Sequence, residues 1–434
     1  MSRIFKGGKS SSIINLALAC LVTGMSACGG GGGGSDSKDG TPPAATTSNG
    51  SNNTTTTSPT TSTATNAATL FLTNGTSTVE RYTVSSAGVL TKQGSAPLCS
   101  GIAVNNDDYY EPSLGLSSDG IHLYSIAYLN NQVCEYAVNS DGSMAQLNPP
   151  ASIADADQTT LISNPAANNL VTYSLNSTFN QYSVGSNGQL TRNSKATIGS
   201  LTNNTAAPGV YAATYAPGGK SLYAVLEMHA SLNGIIMYQP AIYTFNVGAD
   251  GTLTLSTAQP VALSTSATFS SSVQPRSITV KPDGTALYVV DTAGHVFQFS
   301  VNTGVITPLT TPMISLASTG LGDLLITPSG KSAFVTDYKS KRIWQYKVGT
   351  DGSLSTASPT TVSVCSETLE KLNIAVMDTA SATLYLGCTN GGIGHVVVYA
   401  ASDTGTLTLQ KDNQLNTNVL SSVYGQINGM AVGH

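Results

Sequence analysis

The sequence predicts an all-β chain, a seven-bladed β-propeller closed by its C-terminal strand joining the first blade. A hairpin phrase recurs seven times, as "VERYTVSSAGVLT", "VCEYAVNSDGSMA", "FNQYSVGSNGQLT", "IYTFNVGADGTLT", "VFQFSVNTGVIT", "IWQYKVGTDGSLS" and "VVVYAASDTGTLT". Its aromatic residues, Tyr82, Tyr136, Tyr182, Phe245, Phe299, Tyr346 and Tyr399, fall about 50 residues apart, a period that with four strands per unit marks propeller blades. A second phrase of strand, Pro/Asp/Gly turn and strand precedes most hairpins, as in "AATYAPGGKSLYAVL", "RSITVKPDGTALYVVD" and "DLLITPSGKSAFVTD". The third copy, "TTLISNPAANNLVTYSL", is the most worn.

Ring closure follows from the two ends of the repeat region. Ala68 begins "ATLFLTNGT" and its hairpin without an inner strand before them, while "QINGMAVG", Gln426 to Gly433, matches an inner strand in pattern. Joining the two completes the first blade and removes the exposed edges that an open meander presents.

Before the repeats the chain changes character twice. Arg3, Lys6 and Lys9 precede an apolar run from Ile13 to Val22, which has the length of a signal peptide and is too short for a membrane span. Met25-Ser26-Ala27-Cys28 resembles the lipobox of bacterial lipoproteins, with Met25 in place of the usual Leu. This resemblance implies that residues 1–27 are removed and that Cys28 is lipidated, with Gly29 after it in the manner of lipoproteins sorted to the outer membrane. Residues 28–66 then read as a Gly/Ser/Thr-rich tether that cannot bury a core, with a mean reach of about 35 Å. The propeller is assigned residues 67–434. The expected location is therefore the cell envelope, on the periplasmic side or the surface of the outer membrane, with the lipid as the membrane contact and the chain a monomer.

Composition restricts function. Only 9% of residues are charged and the net charge is −5 with no run of Lys and Arg, so the chain offers nothing for a nucleic-acid backbone. The histidines are isolated, no His/Cys group has zinc spacing, and "DADQTT" lacks the Gly and closing Glu of a calcium loop, so no metal or cofactor is expected. Apart from the signal region, Cys99, Cys134, Cys365 and Cys388 remain, with three possible connectivities. Blade topology puts each inter-blade connection at the same end as the loop between second and third strands, which favours Cys99 with Cys134 and Cys365 with Cys388.

The phrase "QPRSITVKPDGTALYVVDTAGHVFQFSVNTG" resembles the lactonase family of seven-bladed propellers, which includes 6-phosphogluconolactonase. The likeness runs from about Ala68 to His434 as blade pattern. Family enzymes carry Pro-Arg-His before the inner strand and Asn-Glu after the second; here Pro275 and Arg276 match, Ser277 takes the His position, and Asp291-Thr292 replace Asn-Glu. Blade six has Asp337-Tyr338 where Asn-Arg is common, and Glu227 in blade four stands at a Glu position. The resemblance thus implies Arg276, Glu227 and His229 as catalytic candidates for lactone opening, with Asp291, Asp337 and Tyr338 as binding candidates.

Two further segments suit recognition. "VNNDDYYEP" gathers Asp107, Asp108, Tyr109, Tyr110 and Glu111 in the connection pinned by Cys99, and "EMHASLNGIIMYQP" is the longest insertion in any blade. The reading that results is a lipid-anchored binding module for a lactone, a sugar-like molecule or an envelope protein; the alternative is a lactone hydrolase with an altered site.

Overall fold

The computed structural model describes residues 68–73, 78–99, 114–127, 132–141, 143–152, 160–173, 178–197, 209–232, 235–263, 274–365, 371–390, 393–415, 427 and 429–434. Seven antiparallel sheets are present, six of four strands and one of five. Their first strands are Gly429–Gly433, Leu114–Leu116, Thr160–Ser163, Val210–Tyr215, Pro275–Val280, Leu321–Ile326 and Lys371–Met377. These strands neighbour one another in cyclic order and surround a central channel, so the seven sheets are blades of one closed ring. The worn third copy forms a full blade of four strands.

Closure occurs where the sequence places it. Gly429–Gly433 pairs antiparallel with Thr69–Thr73, with Gly433 opposite Thr69 and Gly429 opposite Thr73. The last strand is thereby the first strand of blade one.

The propeller has no single core. Buried apolar residues form seven clusters, each shared by two adjacent blades. Strand periodicity divides each blade between its two neighbours, because alternate residues point to opposite faces. In Ala286–Asp291, for example, Leu287 and Val289 pack toward blade four, whereas Ala286, Tyr288 and Val290 pack toward blade six.

Buried polar groups stitch the same interfaces. The residue before the hairpin aromatic in blades two, three, five and six is Glu135, Gln181, Gln298 or Gln345, and each is almost fully buried. Each side chain accepts the backbone N–H that opens the fourth strand of the next blade: Leu190 to Glu135 at 3.0 Å, Leu253 to Gln181 at 2.7 Å, Leu354 to Gln298 at 2.8 Å, and Leu407 to Gln345 at 2.9 Å. Between blades seven and one, Val398 stands at that position and has no acceptor to give. Asn413 takes over, accepting from Leu90 N–H at 3.1 Å and donating to Gly88 O at 2.9 Å.

The recurrent turn glycine has a related cause. Gly352 has φ 85°, and a Cβ there would lie 2.6 Å from Ala286 Cβ of the preceding blade. Tyr288 of that blade donates to Gly352 O at 2.5 Å, and Tyr124 donates likewise to Gly188 O at 3.0 Å. Only a residue without a side chain allows this approach.

Both expected disulfides are present, Cys99–Cys134 and Cys365–Cys388, with Cα–Cα distances of 5.6 and 5.7 Å. Their placements differ in detail. Cys134 lies on the third strand of blade two, Gln132–Val138, whereas Cys388 lies on the second strand of blade seven, Thr383–Asn390.

Two expectations follow. Removing Ile427 to His434 takes away the closing ladder and the buried Ile427 and Met430, whose burial alone is worth about 3–6 kcal/mol. Set against a domain stability of about 5–15 kcal/mol, the truncated chain should be aggregated or rapidly cut by protease, while removal of Gly29 to Thr65 should leave Tm unchanged. Gln181→Leu, which keeps the side-chain volume but orphans the Leu253 N–H, should lower the unfolding free energy by about 1–3 kcal/mol in urea titration without changing the m-value.

Candidate functional site

One mouth of the channel lies at the end of the ring that carries residues 316–320, which lead into blade six, and the turns after Ala286–Asp291 and Ser332–Asp337. There the first strands of blades four to seven are irregular. Pairing with the second strand shifts between Val210 and Ala212, Pro275 and Ser277, Leu321 and Leu324, and Leu372 and Ile374. Such bulges leave residues out of the ladder and re-aim their side chains. In blades four to six the residues concerned are Tyr211, Arg276, and Gly322 with Asp323.

Arg276 is half-buried, and its guanidinium carbon lies 5.3 Å from the centre of the Tyr338 ring. The arrangement is a cation–π contact between blades five and six. Gly322 permits it, because a Cβ at that position would fall 2.1 Å from the Tyr338 ring. The Tyr338 hydroxyl donates to the Asp323 carboxylate. The Asp323 backbone N–H donates to Thr336 Oγ1 at 2.7 Å, which fixes the bulge against the second strand. Desolvation raises the Asp323 carboxyl above its ordinary value, against the opposing pull of the Arg276 charge and the Tyr338 hydrogen bond. Asp323 was not among the residues singled out from the sequence.

Ser277, at the position where the lactonase pattern has His, donates its hydroxyl to Gly322 O at 3.2 Å and accepts Leu324 N–H at 3.3 Å. It joins the first strands of blades five and six.

The second charged group at the mouth is Glu227 with Tyr211, in blade four. Burial, and then the Glu227 charge and hydrogen bond, push the Tyr211 phenol up to about 12. Glu227 and His229 sit in the strand Ser221–Leu232, and the insertion that follows is not a loop. It extends the hairpin, with Glu227 opposite Pro240, His229 opposite Tyr238 and Leu232 opposite Ile235. The structure therefore unites Arg276 with Tyr338 and Asp323, and places Glu227 with Tyr211 on the neighbouring blade; for His229 it gives the backbone position.

Asp291 and Asp337 occupy matching places at the ends of second strands, and both are enclosed. Asp291 Oδ1 accepts Ala293 N–H at 2.9 Å and His295 N–H at 2.8 Å, while Oδ2 lies 2.7 Å from His295 Nδ1. Asp337 Oδ1 accepts Ser340 N–H at 3.0 Å. Burial pushes its carboxyl up, but hydrogen bonding by Ser318 and Ser340 outweighs it and holds the group below the ordinary carboxylate range. Both carboxylates organise the turns that follow them. Asp107, Asp108, Tyr109, Tyr110 and Glu111 lie outside the described residues, as does Cys28. Among the described residues, no group of three His, Cys, Asp or Glu side chains is placed to hold a metal ion.

No family model matches the chain, and no curated protein matches it. Solved structures do. A candidate 6-phosphogluconolactonase from Bacteroides uniformis is 17% identical with a TM-score of 0.62, covering 85% of this chain and 99% of its own. Another from Bacteroides fragilis is 18% identical with a TM-score of 0.62, covering 86% and 99%. The periplasmic gluconolactonase of Pseudomonas aeruginosa is 15% identical with a TM-score of 0.60, covering 85% and 99%. At such identity the likeness establishes the fold, a lactonase-like seven-bladed propeller.

Proposed function

We propose that the chain is a ligand-binding propeller tethered to the cell envelope through lipid on Cys28, with its ligand docking at the channel mouth over blades four to six. One observation carries the binding reading. The polar side chains gathered at the mouth are already engaged by protein partners: Glu227 by Tyr211, Asp323 by Tyr338, and Asp291 and Asp337 by their own turns. A surface of preset donors and acceptors recognises a polar ligand without side-chain rearrangement.

A second reading, lactone hydrolysis, is favoured by Asp323. A carboxyl raised by desolvation beside an arginine is a recurrent feature of acid–base sites. In that reading the Asp323 carboxylate takes a proton from water as its oxygen attacks the lactone carbonyl. Arg276 stabilises the oxyanion, and the proton passes to the ring oxygen as the carbon–oxygen bond breaks. The gluconolactonase named among the structural neighbours supplies the substrate to try.

Acid release from glucono-1,5-lactone, followed at constant pH, separates the two. The binding reading expects the spontaneous rate, together with saturable binding of gluconate by calorimetry that Arg276→Ala abolishes. Hydrolysis above that rate, lost in Asp323→Asn and in the Glu227→Gln, Arg276→Ala double variant, would overturn it. For the anchor, Cys28→Ser should move the protein from the membrane fraction to the soluble fraction, and labelled palmitate should enter only the unaltered chain. A variant that stays with membranes, with neither form labelled, would remove the lipid assignment.

A further inference from the structure

Outside the channel mouth, a cleft of about 420 Å3 opens in blade six, within the range of about 300–1,000 Å3 typical of small-molecule sites. One wall is the incoming connection, with Ser318 and Thr319; the other is the turn after the second strand and the start of the third, with Lys339, Ser340 and Arg342. Half-buried Trp344 and buried Asp337 form its inner end. The turn has two sides: Tyr338 reaches to Arg276 and Asp323, while Lys339 beside it lines the cleft.

The charges of this cleft are only partly compensated, two exposed cations standing against the one buried carboxylate of Asp337. Lys339 Nζ donates to Thr319 Oγ1 at 3.1 Å, and among the described residues no carboxylate forms an ion pair with Lys339 or Arg342. Asp337 at the inner end forms an ion pair with neither cation, and its Oδ1 accepts Ser340 N–H. In a chain with 18 Lys and Arg in 434 residues, two such cations at one cleft are a local excess that average composition conceals. Their company is three hydroxyl side chains and the single tryptophan of the chain.

We propose that this cleft binds an acidic saccharide, a sugar ring bearing a carboxylate. Arg342 and Lys339 meet the carboxylate, Arg342 with a planar fork matched to its two oxygens. Ser318, Thr319 and Ser340 exchange hydrogen bonds with ring hydroxyls, and the indole of Trp344 offers a flat apolar surface to the C–H face of the ring. A neutral sugar leaves both cations without a counter-charge. Inorganic phosphate leaves the indole without a role. The proposal is independent of what the channel mouth binds.

Because Trp344 is the sole tryptophan, its emission reports this cleft directly. Titrating the full chain with D-glucuronate, with calorimetry in parallel, should give a saturable change that weakens with added salt, as expected for exposed cations. D-Glucose should bind at least ~10-fold more weakly, and the Lys339→Gln, Arg342→Gln double variant should lose at least ~10-fold in affinity for glucuronate, about 1.4 kcal/mol, at unchanged Tm. Arg276→Ala should leave the titration unaltered, which separates this site from the mouth. Silence in both emission and calorimetry, a phosphate response equal to that of glucuronate, or a double variant that binds like the unaltered chain would each overturn the proposal.

Discussion

A propeller blade has no inside of its own. Each sheet is apolar on both faces, and every buried cluster in this protein belongs to two blades at once. Burying the hairpin ends there also removes backbone groups from water, and an orphaned N–H costs about 1–3 kcal/mol. The chain meets that constraint with one device used repeatedly, a buried amide or carboxylate before the hairpin aromatic that receives the opening N–H of the next blade's fourth strand. Where Val398 interrupts the series, Asn413 supplies the acceptor from the adjacent strand. Interfaces that all depend on a neighbour must form a cycle, and the pairing of Gly429–Gly433 with Thr69–Thr73 completes it.

The same geometry decides where chemistry can occur. First strands pack around the channel, and among the described residues their pairing with second strands is interrupted at the mouth, where the bulges of blades four to seven stand. A bulge needs an anchor to persist. At Asp323 the anchor is Thr336, and at Arg276 it is the adjoining Ser277, which bonds across to blade six. Position and support therefore come from neighbouring strands and blades, and the residues exposed at the mouth can vary without altering the ring.

This division explains what the sequence makes legible. Blade number, ring closure and both cysteine pairs follow from repeat spacing and topology, because strand period and turn glycines are written locally. The mouth is written across blades. Asp323 in "GLGDLLI" carries no signal of its own, since it reaches Tyr338 only because two residues drop out of the ladder. Asp291 and Asp337, binding candidates from the lactonase resemblance, have a structural role that the resemblance does not convey, since their carboxylates hold the turns after them. A local signal was available there, because Asp bonding to the backbone N–H two residues on is a common turn device and "DTAG" has its form. Lys339 and Arg342 stand in the short basic stretch "KSKR", which acquires meaning only when the connection through Ser318 closes the other side of their cleft.

In a chain so poor in charge, compensation indicates where a ligand is needed. At the channel mouth Arg276 is set against Asp323 and the Tyr338 ring, so its charge already has protein partners before anything binds. At the blade-six cleft the cations face hydroxyls and an indole, and the one carboxylate present is committed to its own turn. A carboxylate ligand there adds negative charge against the net positive charge of the cleft, and its binding weakens as ionic strength rises. The turn from Tyr338 to Arg342 forms part of both sites, so the two kinds of recognition lie on opposite sides of a single stretch of backbone whose conformation Asp337 fixes.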